Sequence, residues 1–446
     1  MTIEPNALAT AIEALSWIEL SGIGLSYATM RAAKQLGIRD EAVIASANAL
    51  VQETLRREAV IGRILATVVP SELLHKVTAG VRSFLRIYTY LTKLSPQTCK
   101  CCVELVEASR EILGWKTLHP VEAFLGRLLT FEPATIYEGL ADVERTALET
   151  SHPDWFVKYC YRLLGRREAL RLLRKSAEGV SSYVHLNTLH GSEETITAAL
   201  TRERINLSHM PEMLHLHLVS GGSRLLWRTE AYRKGLLYLE DKGSYLAVSA
   251  SGVEKGMRVL GMFADGAAKI AHLAQLMENS GVILYAEPRP EKTKALERDI
   301  KRLGVKIAKP LSLKTQTASP APIDADIIVV NPPSSLTGIF GTEPSIRWSV
   351  KPEDIKKNMA QQVGALEEFS RHVKVGGVVI YITSSITVEE NEMVLEHFLS
   401  LKPDFRLVEV RGVGRPAFRE LHNCVRIYPH LHDSDGSFIA KIRREG

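Results

Sequence analysis

Between residues 7 and 145 apolar side chains recur at steps of three and four. Leu8, Ile12, Leu15 and Ile18 form one series; Val43, Ala47 and Leu50, then Val60 and Ile64, form others. Such spacing gives a helix one apolar face, and its repetition predicts an all-helical domain. Pro70, Pro96, Pro120 and Pro133 stand at or near the expected helix starts, where a missing N–H is tolerated. Near Ser151 the texture changes. The run SHPDW predicts a new helix with Ser151 as its cap and Pro153 and Asp154 in its first turn. That helix is expected to continue through Arg162, Arg166, Arg167, Arg171, Arg174 and Lys175, interleaved with leucines. Residues 180–240 then alternate loops with short strand-like runs, among them SSYVHLNT and GSRLLWRT.

From about Gly235 the apolar runs shorten and alternate with helical patterns. MRVLGMF, GVILYAE, DIIVV and VVIYIT read as strands; AKIAHLAQLMEN, PEKTKALERDIKRLG and PEDIKKNMAQQVGALEEFSRHV read as helices. Pro290 and Pro352 mark helix starts, and Gly281, Gly304 and Gly376 are expected to follow helix ends. This alternation predicts a doubly wound, mainly parallel sheet, interrupted by a Ser/Thr/Pro-rich loop over residues 308–325. Three domains follow: 1–145, all-helical; 146–234, small and α+β; 235–446, α/β. Ile327 to Val330 are all β-branched and end at Pro332 and Pro333, which cannot donate to a sheet ladder. Asn331 is therefore expected at the carboxyl end of a buried strand, where open α/β sheets bind ligands.

A chain of 446 residues is too long for one ordinary core, in keeping with several domains. Its net charge of +5 permits an RNA partner without demanding one. No apolar run approaches the ~20 residues of a membrane span, and no basic stretch precedes an apolar one at the N-terminus, so a cytoplasmic protein is expected. Five cysteines, an odd number, argue against a disulfide framework. Cys99, Cys101 and Cys102 lack further ligands nearby and read as small buried residues at a helix start; no metal site is expected. The arginine stripe reads either as a solvated face or as a phosphate-contacting surface, with Arg162, Arg166, Arg167 and Arg171 as its candidates.

Several stretches together resemble the Sun/RsmB/Nop family of S-adenosylmethionine-dependent RNA cytosine-5 methyltransferases. They are GLLYLEDKGS (235–244), RVLGMFADGAAKI (258–270), NPPSSLTGIFG (331–341), RWSVKPEDI with Gln362, VKVGGVVIYITSS, EENEMVLEHFL and RIYPHLHDSDGSFIAKI (426–442). SHPDWFVKYCYRLLG is similar to the family's RNA-binding module, and the helical segment before it to a NusB-like extension. The resemblance implies a class I methyltransferase domain, a Rossmann-like doubly wound sheet, preceded by an α+β RNA-binding module and an all-α NusB-like domain. It implies S-adenosylmethionine as cofactor and RNA, ribosomal or precursor, as partner, with no DNA and no membrane.

In such a family a cysteine thiolate adds to C6 of cytosine, making C5 nucleophilic, and a second cysteine helps release the product. The corresponding positions here are Ser384, in Thr383-Ser384-Ser385, and Ser334. A serine hydroxyl is barely ionised at neutral pH and needs an adjacent base, and none is evident in the local sequence. The cofactor loop would comprise Ala264, Asp265, Gly266, Ala267 and Lys269, with alanines where the family has paired glycines and Gly261 where it has an acid. Glu287 would meet the ribose hydroxyls and Lys292 lies just beyond it. No carboxylate occurs between Val305 and Pro322 to meet the adenine amine. Asn331 stands in for an aspartate that contacts the base. One reading is an RNA-binding pseudoenzyme whose methyl transfer is weak or lost. The other is an active methyltransferase acting on a base amino group through Asn331-Pro332-Pro333, although Ser334 fills the place of the aromatic residue such enzymes use to stack the base.

Overall fold

The computed structural model describes residues 4–95, 102–221, 226–264, 266–311 and 323–446. The chain divides into two compact units, one of residues 1–178 with 342–349, the other of residues 179–341 with 350–446. Residues 146–178 thus group with the helices before them, and 179–234 with the strands that follow. Asp265 and residues 312–322 lie outside the described residues, as do Cys99 and Cys101.

The first unit is helical. Asp40 caps helix Glu41–Arg56 by accepting from Ala42 and Val43, and Gly22, in the left-handed conformation at φ 61°, ends helix Pro5–Ser21. Their apolar faces converge in one core that includes Leu8, Ile12, Leu15, Ala47, Ile64, Phe84 and Leu118. Pro120 lies inside helix Trp115–Thr130 rather than at its start. Ser151 does not cap the helix after it. At φ 51° it closes helix Asp142–Thr150, and its hydroxyl accepts from Ala59. The basic helix, Asp154–Glu178, is broken at Gly165, whose φ of 74° and ψ of 157° no helix contains.

Residues 342–349 complete this unit with a fully buried arginine. Arg347 donates to the carbonyls of Arg56 at 3.4 Å, Ser151 at 3.4 Å and Ser176 at 2.6 Å. These carbonyls lie at or near the C-terminal ends of three helices, where unpaired acceptors and the helix dipole favour a cation. Burial, helped by the charge of Arg56, lowers the guanidinium to about 9, so it stays charged at neutral pH.

The second unit holds two sheets. The smaller is antiparallel in the order β2-β3-β1-β4: β1 (Tyr183–Leu186), β2 (Asn206–His209), β3 (Leu216–Gly221) and β4 (Leu237–Leu239). The run GSRLLWRT is not a strand over its described part; Leu226–Arg228 form a short 3-10 turn. The larger sheet has β5 (Arg258–Phe263), β6 (Val282–Ala286), β7 (Ala308–Pro310), β8 (Ala325–Asn331) and β9 (Val373–Thr383) in parallel. β10 (Phe405–Val408), β11 (Arg415–Pro416), β12 (Val425–Ile427) and β13 (Ser437–Arg444) add an antiparallel side, β13 lying against β9. The order is β11-β12-β13-β9-β8-β5-β6-β7. Residues 308–310, expected as loop, instead make an edge strand against Ile283 to Tyr285, a place where Pro310 is tolerated. Gly376 lies within β9, where the register with β8 slips between Ala325 and Ile327, and not at a helix end. Helices Lys242–Ser251, Ala267–Leu276 and Pro290–Arg302 cover one face; Pro352–Ser370 and Glu392–Leu401 cover the other.

A buried polar cluster joins the small sheet to helix Ala267–Leu276. Glu240 accepts from Nδ1 of His185 at 2.6 Å and of His272 at 3.2 Å, and Nε2 of His185 accepts from Gln275 at 3.1 Å. Burial pulls His185 down to about 4, only partly offset by Glu240. Burial alone would raise the Glu240 carboxyl, but the charges and hydrogen bonds of His272 and His185 outweigh it and hold it at about 2.

Two outcomes are expected. Arg347→Met should lower stability by about 3 kcal/mol, because charge-assisted bonds to helix-end carbonyls are lost, read as a fall in the urea midpoint. For the polar cluster, both folded values lie below the unfolded ones of 6.5 and 4.5, so the folded state binds fewer protons. Its stabilisation is present above pH 6.5 and is lost as pH falls through the window down to about 2. Glu240→Gln should therefore be less stable at neutral pH and lose less of its melting temperature on acidification than the wild type.

Candidate functional site

The carboxyl ends of β5 and β8 lie side by side, Phe263 opposite Asn331, and the amide of Ala264 donates to the carbonyl of Asn331 at 3.0 Å. From β5 the chain moves one way to β6 and β7, then returns across β5 to β8. This reversal opens a crevice at the strand ends, the usual ligand site of such sheets. Asn331 is buried there. Its Nδ2 donates to the carbonyl of Ile382 at 3.2 Å, while its Oδ1 has no hydrogen-bond partner among the described residues.

The two loops at this edge are held by one carboxylate that the sequence did not single out. Glu390 is fully buried and accepts from the Ser335 amide at 2.8 Å, Ser385 Oγ at 2.6 Å, Thr387 Oγ1 at 2.9 Å, Gln362 Nε2 at 3.1 Å and Asn358 Nδ2 at 3.2 Å, as well as from the Ser335 hydroxyl. Gln362 also donates to the carbonyl of Pro333 at 3.0 Å. The loop after β8 meets the loop after β9 again where Gly338 donates to the carbonyl of Ser384 at 3.0 Å. A Cβ at Gly338 would lie 2.0 Å from the carbonyl of Gly436, so this crossing admits only glycine.

Ser334 and Ser384 thus sit on fixed loops, both half-buried. The Ser334 oxygen accepts from the Leu336 amide at 3.4 Å, and among the described residues neither hydroxyl is hydrogen-bonded to a carboxylate or imidazole. The nearby acid, Glu390, is committed to Ser335 and Ser385, one residue further along each loop. The second unit contains one cysteine, Cys424, which is fully buried; burial, with the charge of Glu392, pushes its thiol up to about 12.

At the cofactor loop, Ala264 and Gly266 precede helix Ala267–Leu276, which carries Ala267 and a largely buried Lys269; Asp265 lies outside the described residues. Phe263 is wedged among glycines. A Cβ at Gly261 would come within 2.4 Å of the Phe263 ring, and one at Gly266 within 2.1 Å of the Phe263 Cβ. An acidic side chain at position 261 would therefore collide with this ring. Glu287, just past β6, is buried, and its Oε1 accepts from the amide and Nε of Arg289, each at 3.1 Å. A ribose diol would have to share or displace that arginine. Lys292 lies in the first turn of helix Pro290–Arg302.

The arginine stripe belongs to the first unit. Arg166 pairs with Asp142 and Arg171 with Glu168, Arg162 lies 6.0 Å from the ring of Tyr159, and Arg167 is exposed. Gly165 puts Arg162 on one helical segment and the other three on the next.

Comparison with known proteins bears on the same residues. Residues 251–443 match the family described as 16S rRNA methyltransferase RsmB/F. The probable ribosomal RNA small subunit methyltransferase B of Bacillus subtilis (strain 168) is 27% identical over 358 residues, 77% of this chain and 77% of its own length. The human 28S rRNA (cytosine(4447)-C(5))-methyltransferase is 29% identical over 314 residues, 67% of this chain but only 38% of the human protein. Among solved structures, that of PH0851 matches with a TM-score of 0.86 and 23% identity over 100% of both chains, a likeness of fold. A methyltransferase homolog protein from Pyrococcus horikoshii matches with a TM-score of 0.60 and 25% identity, covering 68% of this chain and 100% of its own. The sheet order and these likenesses agree: residues 251–443 carry the sequence of the RsmB/F methyltransferase family, and similarity to ribosomal RNA methyltransferases extends beyond them.

Proposed function

We propose that this chain is an RNA-binding member of the family that engages ribosomal RNA or its precursor and has lost methyl transfer through cysteine. The observation that carries this reading is where sulfur lies in the second unit. Hydroxyls stand at positions 334 and 384, while the one thiol, Cys424, is sealed in the core and held protonated. Serine would need a base to replace it, and Glu390 is occupied elsewhere.

The family depends on S-adenosylmethionine, which when bound supplies the methyl group. Glu287 is suited to the ribose hydroxyls of that cofactor, with Lys292 and the Ala264–Lys269 loop nearby. The remaining contacts are incomplete: position 261 is glycine beneath the Phe263 ring, and no carboxylate follows β7 before Pro322. These residues do not complete the site. Asn331 supports base recognition without chemistry, since its unpartnered Oδ1 is an acceptor suited to an exocyclic amine. The same acceptor favours the second reading, methylation of a base amino group through Asn331-Pro332-Pro333. Ser334 offers no ring to stack the base, so that reading comes second. The names of the relatives support a ribosomal RNA partner, and the Arg162, Arg166, Arg167 and Arg171 stripe supports phosphate contacts outside the base site.

Crosslinking in cells followed by sequencing of the bound RNA should recover ribosomal RNA. Incubation of purified protein with that RNA and labelled S-adenosylmethionine should transfer no methyl group, and calorimetry should detect no micromolar binding of the cofactor. Micromolar binding together with 5-methylcytosine would overturn the proposal, and an N-methylated base would establish the second reading. In the double variant Ser334→Cys with Ser384→Cys turnover should stay absent, because Gly261 and Phe263 are unchanged. Restored turnover would mean that thiol loss alone silenced the protein.

A further inference from the structure

The small sheet of the second unit carries a group of side chains that the methyltransferase reading does not use. His209 at the end of β2 stands directly opposite His217 on β3, so both imidazoles leave the same face of the sheet. Their ring centroids are 5.5 Å apart. Glu193, the first residue of helix Glu193–Arg202, reaches the same point, its Oε1 lying 3.0 Å from Nε2 of His217. One ligand atom from each of Glu193, His209 and His217 lies within 4.8 Å of the other two.

We propose that Glu193, His209 and His217 form a divalent-metal site, with zinc the ion that fits it best. Three ligands of the His, His, carboxylate type leave a fourth position to water, a familiar zinc arrangement. Ligand atoms bound about 2.0–2.1 Å from one tetrahedral ion are ~3.4 Å apart, so the observed spacing needs only small side-chain rotations. The ion would take the place of the proton now shared by Nε2 of His217 and Glu193, releasing that proton to solvent. His209 is exposed, which gives the ion a way in, while His217 is buried.

His215 strengthens the assignment. Its Nδ1 lies 2.7 Å from Oε2 of Glu193, the oxygen that the ligand role leaves over. A hydrogen bond of this kind orients a metal-binding carboxylate and fixes which oxygen faces the ion. His215 holds this place with φ 63°, in the left-handed region that histidine enters more often than most residues. The buried cluster of His185, Glu240 and His272 is different. All three of its residues are buried, and Nε2 of His185 is closed by Gln275. A bound ion at the first site would staple the β2–β3 hairpin to the start of helix Glu193–Arg202.

The test uses untagged, full-length protein stripped with a chelator and titrated with zinc chloride by calorimetry, alongside thermal melts. The wild type should bind one zinc ion at micromolar concentration or tighter, and its melting temperature should rise on saturation. His209→Ala alters an exposed ring and should leave the melt of the metal-free protein unchanged while weakening binding at least a hundredfold. His215→Asn keeps all three ligands and suits the left-handed backbone; it should weaken binding about tenfold or more with little change in the metal-free melt. Cobalt should give visible d–d bands without a thiolate charge-transfer band. Absence of saturable zinc binding would overturn the proposal. So would binding that survives His209→Ala, and a thiolate band would then locate the ion on the cysteines.

Discussion

A single buried carboxylate organises the edge where β8 and β9 end and their loops meet. Glu390 has no exposure to solvent and is stabilised by a shell of hydroxyl, amide and backbone donors drawn from the β8 loop, the β9 loop and helix Pro352–Ser370. An anion in such a place is tolerable only if its lone pairs are filled, and here the filling is the architecture. Gln362 extends the shell to Pro333, and the Tyr381 hydroxyl donates to the carbonyl of Glu390 itself at 2.7 Å.

This arrangement holds the loops through residues next to the candidate positions and not through those positions' side chains. The donors to Glu390 are Ser335 and Ser385, not Ser334 and Ser384. The side chains of Ser334 and Ser384 give nothing to Glu390, so on the proposed reading an exchange of sulfur for oxygen there would leave this shell in place. The cofactor loop differs in kind. Gly261, Phe263 and Gly266 interlock, and neither glycine can carry a side chain without moving Phe263.

Much of the fold was legible from periodicity. Ile327 to Val330 announced a buried strand, and the two prolines after Asn331 stopped it where the sheet stops. Helical spacing before residue 145 was equally plain. What escaped the sequence were features set by partners far along the chain. Glu390 reads as one more acid in a polar turn until residues 335, 358, 362 and 385 are brought around it. Gly165 looks like any glycine in a helical run, yet its positive φ divides the basic stretch in two. Ala308 to Pro310 became a strand because Ile283 offered an unpaired edge, a fact held by another segment. The histidines of the small sheet are scattered from 209 to 217 and face Glu193 only after β2 and β3 pair.

The eight residues from Thr342 to Ser349 carry a consequence for anyone dissecting this protein. They are flanked on both sides by the second unit but are completed by the first, where Arg347 finds its three carbonyls. No single cut in the chain separates the two units. A fragment beginning at Gly179 would carry a guanidinium evolved for helix ends it no longer possesses, together with the apolar Ile346 and Trp348. Isolating the catalytic-type fold therefore calls for a splice that joins Gly341 to Val350, not a truncation.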